Sequence, residues 1–161
     1  VTASQAFTLS SPILKDSTVI PLKYTYSKAG GLNISIPLEW SNAPEGTKSY
    51  VILMYDEASS DDNGIYWAVI NIPSSVTSLP EGVSLTSAMP EQAVELINSY
   101  GTKGYCGPNP GLGKGIHKYK IAIFALNVES IEVDGIVSAQ QLLNAMDGKI
   151  LGTAEIPVSI E

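Results

Sequence analysis

The sequence predicts a mainly β domain with two short helices, the clearer of them near the C-terminus. Runs of β-branched and aromatic residues, each of strand length, are separated by Pro, Gly and Asn turn signals. Only two stretches have helix start and stop signals. The chain has 161 residues, of which 44% are hydrophobic and 16% charged. This composition predicts one globular domain over residues 1–161, long enough to bury a substantial core.

Strand-length runs follow one another along most of the chain. They cover residues 6–10, 19–26, 36–40, 50–55, 66–73, a weaker stretch at 80–86, then 118–126 and 150–160. Residues 50–55 are almost continuously apolar, which predicts a strand buried on both faces.

Two helices interrupt this pattern. Residues 90–100 begin with Pro90, continue with acidic residues and end before Gly101, which predicts a first helix. The second begins at the capping-box sequence Ser138-Ala139-Gln140-Gln141 and stops at Gly148. Its apolar residues, Leu142, Leu143 and Met146, are expected to share one face.

The charge composition excludes several partners. The formal net charge is −7, and the nine basic residues are all lysines. Nucleic acid is excluded as a partner, since phosphate backbones require clustered Lys and Arg, and an anionic membrane surface is disfavoured for the same reason. The chain has no apolar run of transmembrane length. The single cysteine forms no internal disulfide, so both the cytoplasm and a periplasmic or secreted location, after removal of a signal peptide, stay open.

A Gly- and Pro-rich stretch over residues 104–116 leads directly into the strand at 118–126. His117 and Tyr119 are two residues apart, so an extended chain places them on the same side. The stretch is not a P-loop, because Gly113-Lys114 is followed by Gly115 instead of Ser or Thr. A backbone cradle for a phosphate and a plain connection between strands are both compatible with it.

Other candidate residues have simpler explanations. Asp56 ends the buried strand and begins an acidic loop, where a carboxylate lies either at a pocket rim or in a solvated turn. His117 is the only histidine, and no cluster of further ligands suggests a metal site. Cys106 is expected to be a buried spectator. No Gly-x-Ser-x-Gly motif supports a hydrolase triad, and no cofactor is expected.

Three segments resemble the phosphatidylethanolamine-binding proteins, which include the Raf kinase inhibitor proteins, and especially the bacterial and archaeal branch. These segments are residues 35–47 (SIPLEWSNAPEGT), residues 55–58 with 67–73 (YDEA and WAVINIP), and residues 104–119 (GYCGPNPGLGKGIHKY). The order of Gly, Pro, His and Tyr in the last segment is rare by chance. The correspondence covers nearly the whole chain.

The resemblance implies a fold and a binding site. The fold is a central antiparallel Greek-key sheet packed on a smaller sheet, with a helix near the C-terminus. The site is a small cavity for an anion such as phosphate or a phosphorylated head group. Carried over to this chain, its ligand-binding residues are Asp56, Tyr66, Trp67, Gly107, Pro110, His117 and Tyr119.

This sequence departs from the family pattern at the pocket. Tyr66 replaces a family histidine, Lys118 replaces the arginine of the His-Arg-Tyr motif, and Gly111 replaces the second residue of a Pro-Pro pair. Glu57 corresponds to the second family aspartate if one residue is deleted. A tyrosine hydroxyl donates a hydrogen bond but has no positive charge, so weaker anion binding or a neutral ligand is expected.

The function expected from these residues is that of a non-enzymatic binding protein. One alternative is a regulator or inhibitor of a kinase or protease, acting through protein contact, as eukaryotic relatives do. A second is a weak hydrolase that uses His117 as base and Asp56 to orient it. A protein partner and a homodimer are left open.

Overall fold

The structure is a computed structural model that describes residues 7–14, 24, 33–56, 65–84, 86–87, 89–98, 102–106, 117–133 and 139–160. Within these residues it contains eight strands and one helix: β1 (Thr8–Ser10), β2 (Leu38–Ser41), β3 (Ser49–Asp56), β4 (Ile65–Pro73), β5 (Ser78–Leu79), β6 (Val94–Glu95), β7 (His117–Leu126), α1 (Ala139–Met146) and β8 (Ile150–Ile160).

The strands form two antiparallel sheets. The smaller sheet has the order β1-β2-β5, and the central sheet has the order β6-β4-β3-β7-β8. In the central sheet β7 returns to lie beside β3, on the side opposite β4 and β6. The resulting order β7-β3-β4-β6 is a Greek key, with β5 diverted into the smaller sheet. The expected mainly β fold with a small and a large antiparallel sheet is confirmed.

Strand β3 is the middle of the molecule because both of its faces are buried. Ile52 and Met54 belong to one core cluster, which also receives Leu38 and Trp40 from the smaller sheet. Val51 and Leu53 belong to a second cluster on the other face, together with Leu142 and Met146 of α1. The smaller sheet and the helix therefore cover opposite faces of the central sheet. The predicted burial of this strand on both faces is confirmed.

The helix predicted over residues 90–100 is wrong for residues 90–98. A turn closed by the Ala93 amide and the Pro90 carbonyl, at 3.0 Å, leads instead into β6. There Val94 and Glu95 pair with β4. The Glu95 carboxylate, only 7% exposed, accepts a hydrogen bond from the Trp67 indole. This tertiary pairing overrides a start signal that is intrinsically weak. Residues 99–101 lie outside the described residues.

The C-terminal helix is confirmed as α1, and Gly148, with φ 75°, follows its end as expected of a glycine that stops a helix. Leu142 and Met146 are fully buried, but Leu143 is 38% exposed. The expectation that all three share one face is therefore wrong for Leu143, because it follows Leu142 directly and adjacent residues of a helix point about 100° apart. Ser138 of the expected capping box lies outside the described residues.

The weaker strand predicted over residues 80–86 is wrong for its described residues. Residues 80–84 and 86 form successive turns, with the Val83 amide donating to the Pro80 carbonyl and the Thr86 amide to the Val83 carbonyl. The strand predicted over residues 19–26 lies outside the described residues except at Tyr24, which has a 3₁₀-helical conformation.

Candidate functional site

Three strands of the central sheet bring the predicted site positions to one end of the sheet. The last residue of β3, Asp56, lies directly opposite Tyr119 of β7 in the strand register. Its neighbour Tyr55 lies opposite Ile65, where β4 begins. His117 opens β7 two residues before Tyr119, so the two positions belong to the same face of the sheet. Residues 61 positions apart in sequence are thereby placed within one sheet corner.

A β-bulge at Tyr66 presents its side chain to this corner. The register pairs Met54 with Trp67 but Tyr55 with Ile65, which leaves Tyr66 as an extra residue on β4. Such a bulge re-aims side chains that would otherwise alternate between faces. Ile65 accordingly belongs to one core cluster, whereas Tyr66 and Trp67 both pack on the other.

Tyr66 and Tyr119 are in direct contact. Their ring centroids are 5.2 Å apart and their planes meet at 89°, the edge-to-face arrangement that aromatic rings favour. Tyr119 is 2% exposed, and Tyr66 is half-buried. The two predicted phenols therefore lie side by side, with Tyr66 as the more accessible of the pair.

The Gly- and Pro-rich stretch begins against the same corner. The Cys106 amide donates a hydrogen bond of 2.9 Å to the Tyr66 carbonyl, which fixes the start of this stretch to the bulge. The Cys106 thiol is buried, and burial raises its pKa to about 11. The thiol is therefore protonated at neutral pH, as expected of a spectator rather than a nucleophile. Gly107 and Pro110 lie outside the described residues, and their role at the site stays a prediction.

Trp67 occupies a supporting position. Its side chain is fully buried, its indole N–H donates to Glu95 Oε1 at 2.9 Å, and its ring meets that of Tyr105 edge to face, with centroids 5.5 Å apart. In this position the indole ring packs behind the candidate site and supports it from the core. Its polar atom is already engaged by Glu95.

Sequence reasoning missed a polar cluster next to Trp67, formed by the buried Glu95 and Tyr105 and the half-buried Ser84. Glu95 also accepts a hydrogen bond of 2.5 Å from the Ser84 hydroxyl, and Ser84 Oγ accepts one of 2.9 Å from the Tyr105 amide. Burial raises the pKa of the Tyr105 hydroxyl above its usual range. The available signal was an acidic residue flanked by Val94 and Leu96, within the stretch that was predicted to be a helix.

No metal site is formed by the part of the chain that the structure describes, since it contains no group of three or more His, Cys, Asp or Glu residues able to hold an ion. Among the same residues, none of the helices is long and apolar enough to cross a bilayer.

Comparison with known proteins places this chain and its fold in a family. The family model for phosphatidylethanolamine-binding protein matches residues 10–161. The UPF0098 protein YbcL of Escherichia coli is 34% identical over 156 residues, which cover 94% of this chain and 85% of YbcL. A UPF0098 protein of Aquifex aeolicus is 37% identical over 144 residues, 88% of this chain and 81% of that protein.

Two solved structures are similar throughout. The crystal structure of Escherichia coli YbcL, described as a member of the mammalian PEBP family, superposes with a TM-score of 0.88 at 32% identity and covers 98% of this chain and 99% of YbcL. The structure of the Chlamydia trachomatis homologue CT736 gives a TM-score of 0.78 at 34% identity, covering 97% of both chains. The chain therefore belongs to the phosphatidylethanolamine-binding protein family.

Proposed function

We propose that this protein is a non-enzymatic binding protein for a small anion, such as phosphate or a phosphorylated head group, held at the corner formed by the ends of β3, β4 and β7. The observation that supports this most strongly is the contact between Tyr66 and Tyr119, whose ring centroids are 5.2 Å apart. Asp56 lies opposite Tyr119 in the register, and His117 opens the same strand.

These residue types are suited to binding one small anion. Phenol hydroxyls donate neutral hydrogen bonds, and an imidazole gains a positive charge as the pH falls through the range around 6.5. A carboxylate near an imidazole favours its charged form. The net charge of −7 gives no long-range attraction for an anion, so binding depends on these local donors.

We infer no catalytic step at this corner. Covalent chemistry requires an activated nucleophile next to a base. The Cys106 thiol lies near the start of the Gly- and Pro-rich stretch, and burial raises its pKa to about 11, so it is protonated at neutral pH. The remaining groups, phenols and an imidazole, are suited to donating hydrogen bonds.

Calorimetric titration with phosphoethanolamine and with inorganic phosphate, at pH 6 and pH 8, tests the proposal. The wild-type protein is expected to show saturable binding that is tighter at pH 6. His117→Ala is expected to bind roughly tenfold more weakly at pH 6, because a charged hydrogen-bond donor contributes about 1.5–3 kcal/mol.

Lys120→Gln is the matched control. It removes one positive charge from the same strand, but Lys120 belongs to the opposite face and pairs at 3.2 Å with Glu155. Its affinity should equal that of the wild type. Absence of saturable binding at both pH values, or equal affinity for wild type and His117→Ala, would refute the proposal.

A further inference from the structure

We propose that Glu95 is a positioning residue, whose buried carboxylate holds the start of the Gly- and Pro-rich stretch in place beside the Tyr66–Tyr119 pair. The consequence for ligand binding rests on the function proposed above. The positioning itself is a property of the fold and can be measured without any ligand.

The first argument is the burial of Glu95 in a mainly apolar environment. The residue is 7% exposed and lies on β6, at the edge of the central sheet. Burying a carboxylate is costly unless hydrogen bonds satisfy it. Two donors converge on its Oε1 atom, the Trp67 indole at 2.9 Å and the Ser84 hydroxyl at 2.5 Å. β6 contains only two residues, and the hydrogen bond between Glu95 and Ser84 connects this short strand to the turn that contains Ser84.

The second argument is that this cluster continues to the candidate site. Ser84 Oγ accepts a 2.9 Å hydrogen bond from the Tyr105 amide while donating its own proton to Glu95. The Tyr105 hydroxyl donates to the Tyr24 carbonyl at 2.7 Å, so the main chain and the side chain of Tyr105 are both held by hydrogen bonds. The next residue, Cys106, donates its amide to the Tyr66 carbonyl. These hydrogen bonds, connected by the main chain between Tyr105 and Cys106, therefore join Glu95 to the bulge that presents Tyr66.

The geometry also distinguishes a charge requirement from a shape requirement. Because both donors meet a single oxygen of Glu95, the amide oxygen of a glutamine can accept both hydrogen bonds in the same place. Glu95→Gln should therefore preserve the position of the stretch, whereas Glu95→Ala leaves the half-buried Ser84 hydroxyl and the buried Trp67 indole without this acceptor. Ser84→Ala separates this hydrogen bonding from packing, because it removes one donor and leaves the Glu95 side chain at full length.

Cys106 supplies a local probe, since it is the only cysteine in the chain and is 3% exposed. The rate of iodoacetamide alkylation, followed by mass spectrometry at pH 8, reports opening of this stretch. We expect alkylation to be about tenfold faster in Glu95→Ala and in Ser84→Ala, since each removes the partly buried hydrogen bond between Ser84 and Glu95, next to Tyr105. In Glu95→Gln the rate should be close to that of the wild type. Ser49→Ala is the control, because it removes a comparable 2.7 Å hydrogen bond to the Val128 carbonyl at the opposite end of β3.

Phosphoethanolamine titration of the same variants gives a second readout. Weakened binding in Glu95→Ala, with the affinity restored in Glu95→Gln, supports both the positioning role and the proposed function. Faster alkylation without ligand binding in any variant, including the wild type, supports positioning and refutes the proposed function. Unchanged alkylation in both Glu95→Ala and Ser84→Ala, or acceleration by Ser49→Ala to the same degree, overturns the inference. Ser84→Ala decides the matter if Glu95→Ala does not fold.

Discussion

Tyr66 is the residue that most distinguishes this site. A bulge in β4 sets its side chain against Tyr119, and the main chain at the same residue accepts the Cys106 amide. The residue therefore joins the strand, the neighbouring phenol and the Gly- and Pro-rich stretch. The resemblance to the family indicates a histidine at this position. The replacement keeps a hydrogen-bond donor and removes a charge that depends on pH.

Changing Tyr66 tests this point directly. Tyr66→His should bind phosphate about fivefold more tightly than the wild type at pH 6 and show no gain at pH 8, because a charged donor exceeds a neutral one by about 1 kcal/mol. Tyr66→Phe, which keeps the ring that packs on Tyr119, should bind about fivefold more weakly at both pH values.

The control for this pair is Tyr50→Phe, on β3 at the opposite end of the sheet, where the ring packs against Trp40. Its phosphate affinity should match the wild type. Tighter binding by Tyr66→His at pH 8 as well as at pH 6 would show that the added imidazole acts through shape and not through its charge.

The residues that form the candidate site could be predicted only in part from the sequence. His117 and Tyr119 were predicted because a two-residue spacing on a strand sets a common side. The contact between Tyr66 and Tyr119 could not be foreseen from spacing, since it depends on a one-residue bulge that changes the register. Glu95 escaped prediction because a buried carboxylate in an edge strand has the same local sequence as an acidic residue in the first turns of a helix.

At the scale of elements, strands were easier to predict than helices. β3, β4, β7 and β8 are long and rich in apolar residues, so local pattern and tertiary packing agree. β6 contains two residues and exists through its pairing with β4. No propensity argument identifies a strand of that length.

The pairing of β3 with β4 has a second register shift, between Tyr50 and Ile52 of β3. It lies near Asn71 of β4, which has a φ of 61° and is held by hydrogen bonds to Ile131.

Helix α1 gives a prediction about packing. Leu142 is fully buried against the central sheet, whereas its neighbour Leu143 is 38% exposed. Leu142→Ala should lower the free energy of unfolding by about 2–5 kcal/mol through a cavity, and Leu143→Ala by no more than about 0.5 kcal/mol. Urea denaturation measures both changes. Equal losses for the two variants would contradict the packing of α1 on this face.

For the whole molecule, the order of the strands determines which parts form the core and which part is left for the candidate site. The smaller sheet and α1 cover the two faces of the central sheet and form the two core clusters. The end of the sheet where β3 stops and β7 starts is left for the candidate site. The opposite end has a polar groove of about 410 Å³, whose lining includes Lys48, Asn71 and Ser130. In a binding experiment the β3–β7 end is therefore the region expected to respond to ligand, and the polar groove at the opposite end is the internal reference.

The central claim is that segments far apart in sequence build one binding site for a small anion at the β3–β7 end of the sheet. The most direct test is a nuclear magnetic resonance titration of the ¹⁵N-labelled protein with phosphoethanolamine. We predict that the amide signals of Tyr66, Cys106 and Tyr119 shift together with a single dissociation constant, while those of Asn71 and Ser130 stay in place. Shifts confined to the polar groove, or no saturable shift at Tyr66, Cys106 and Tyr119, would contradict the account.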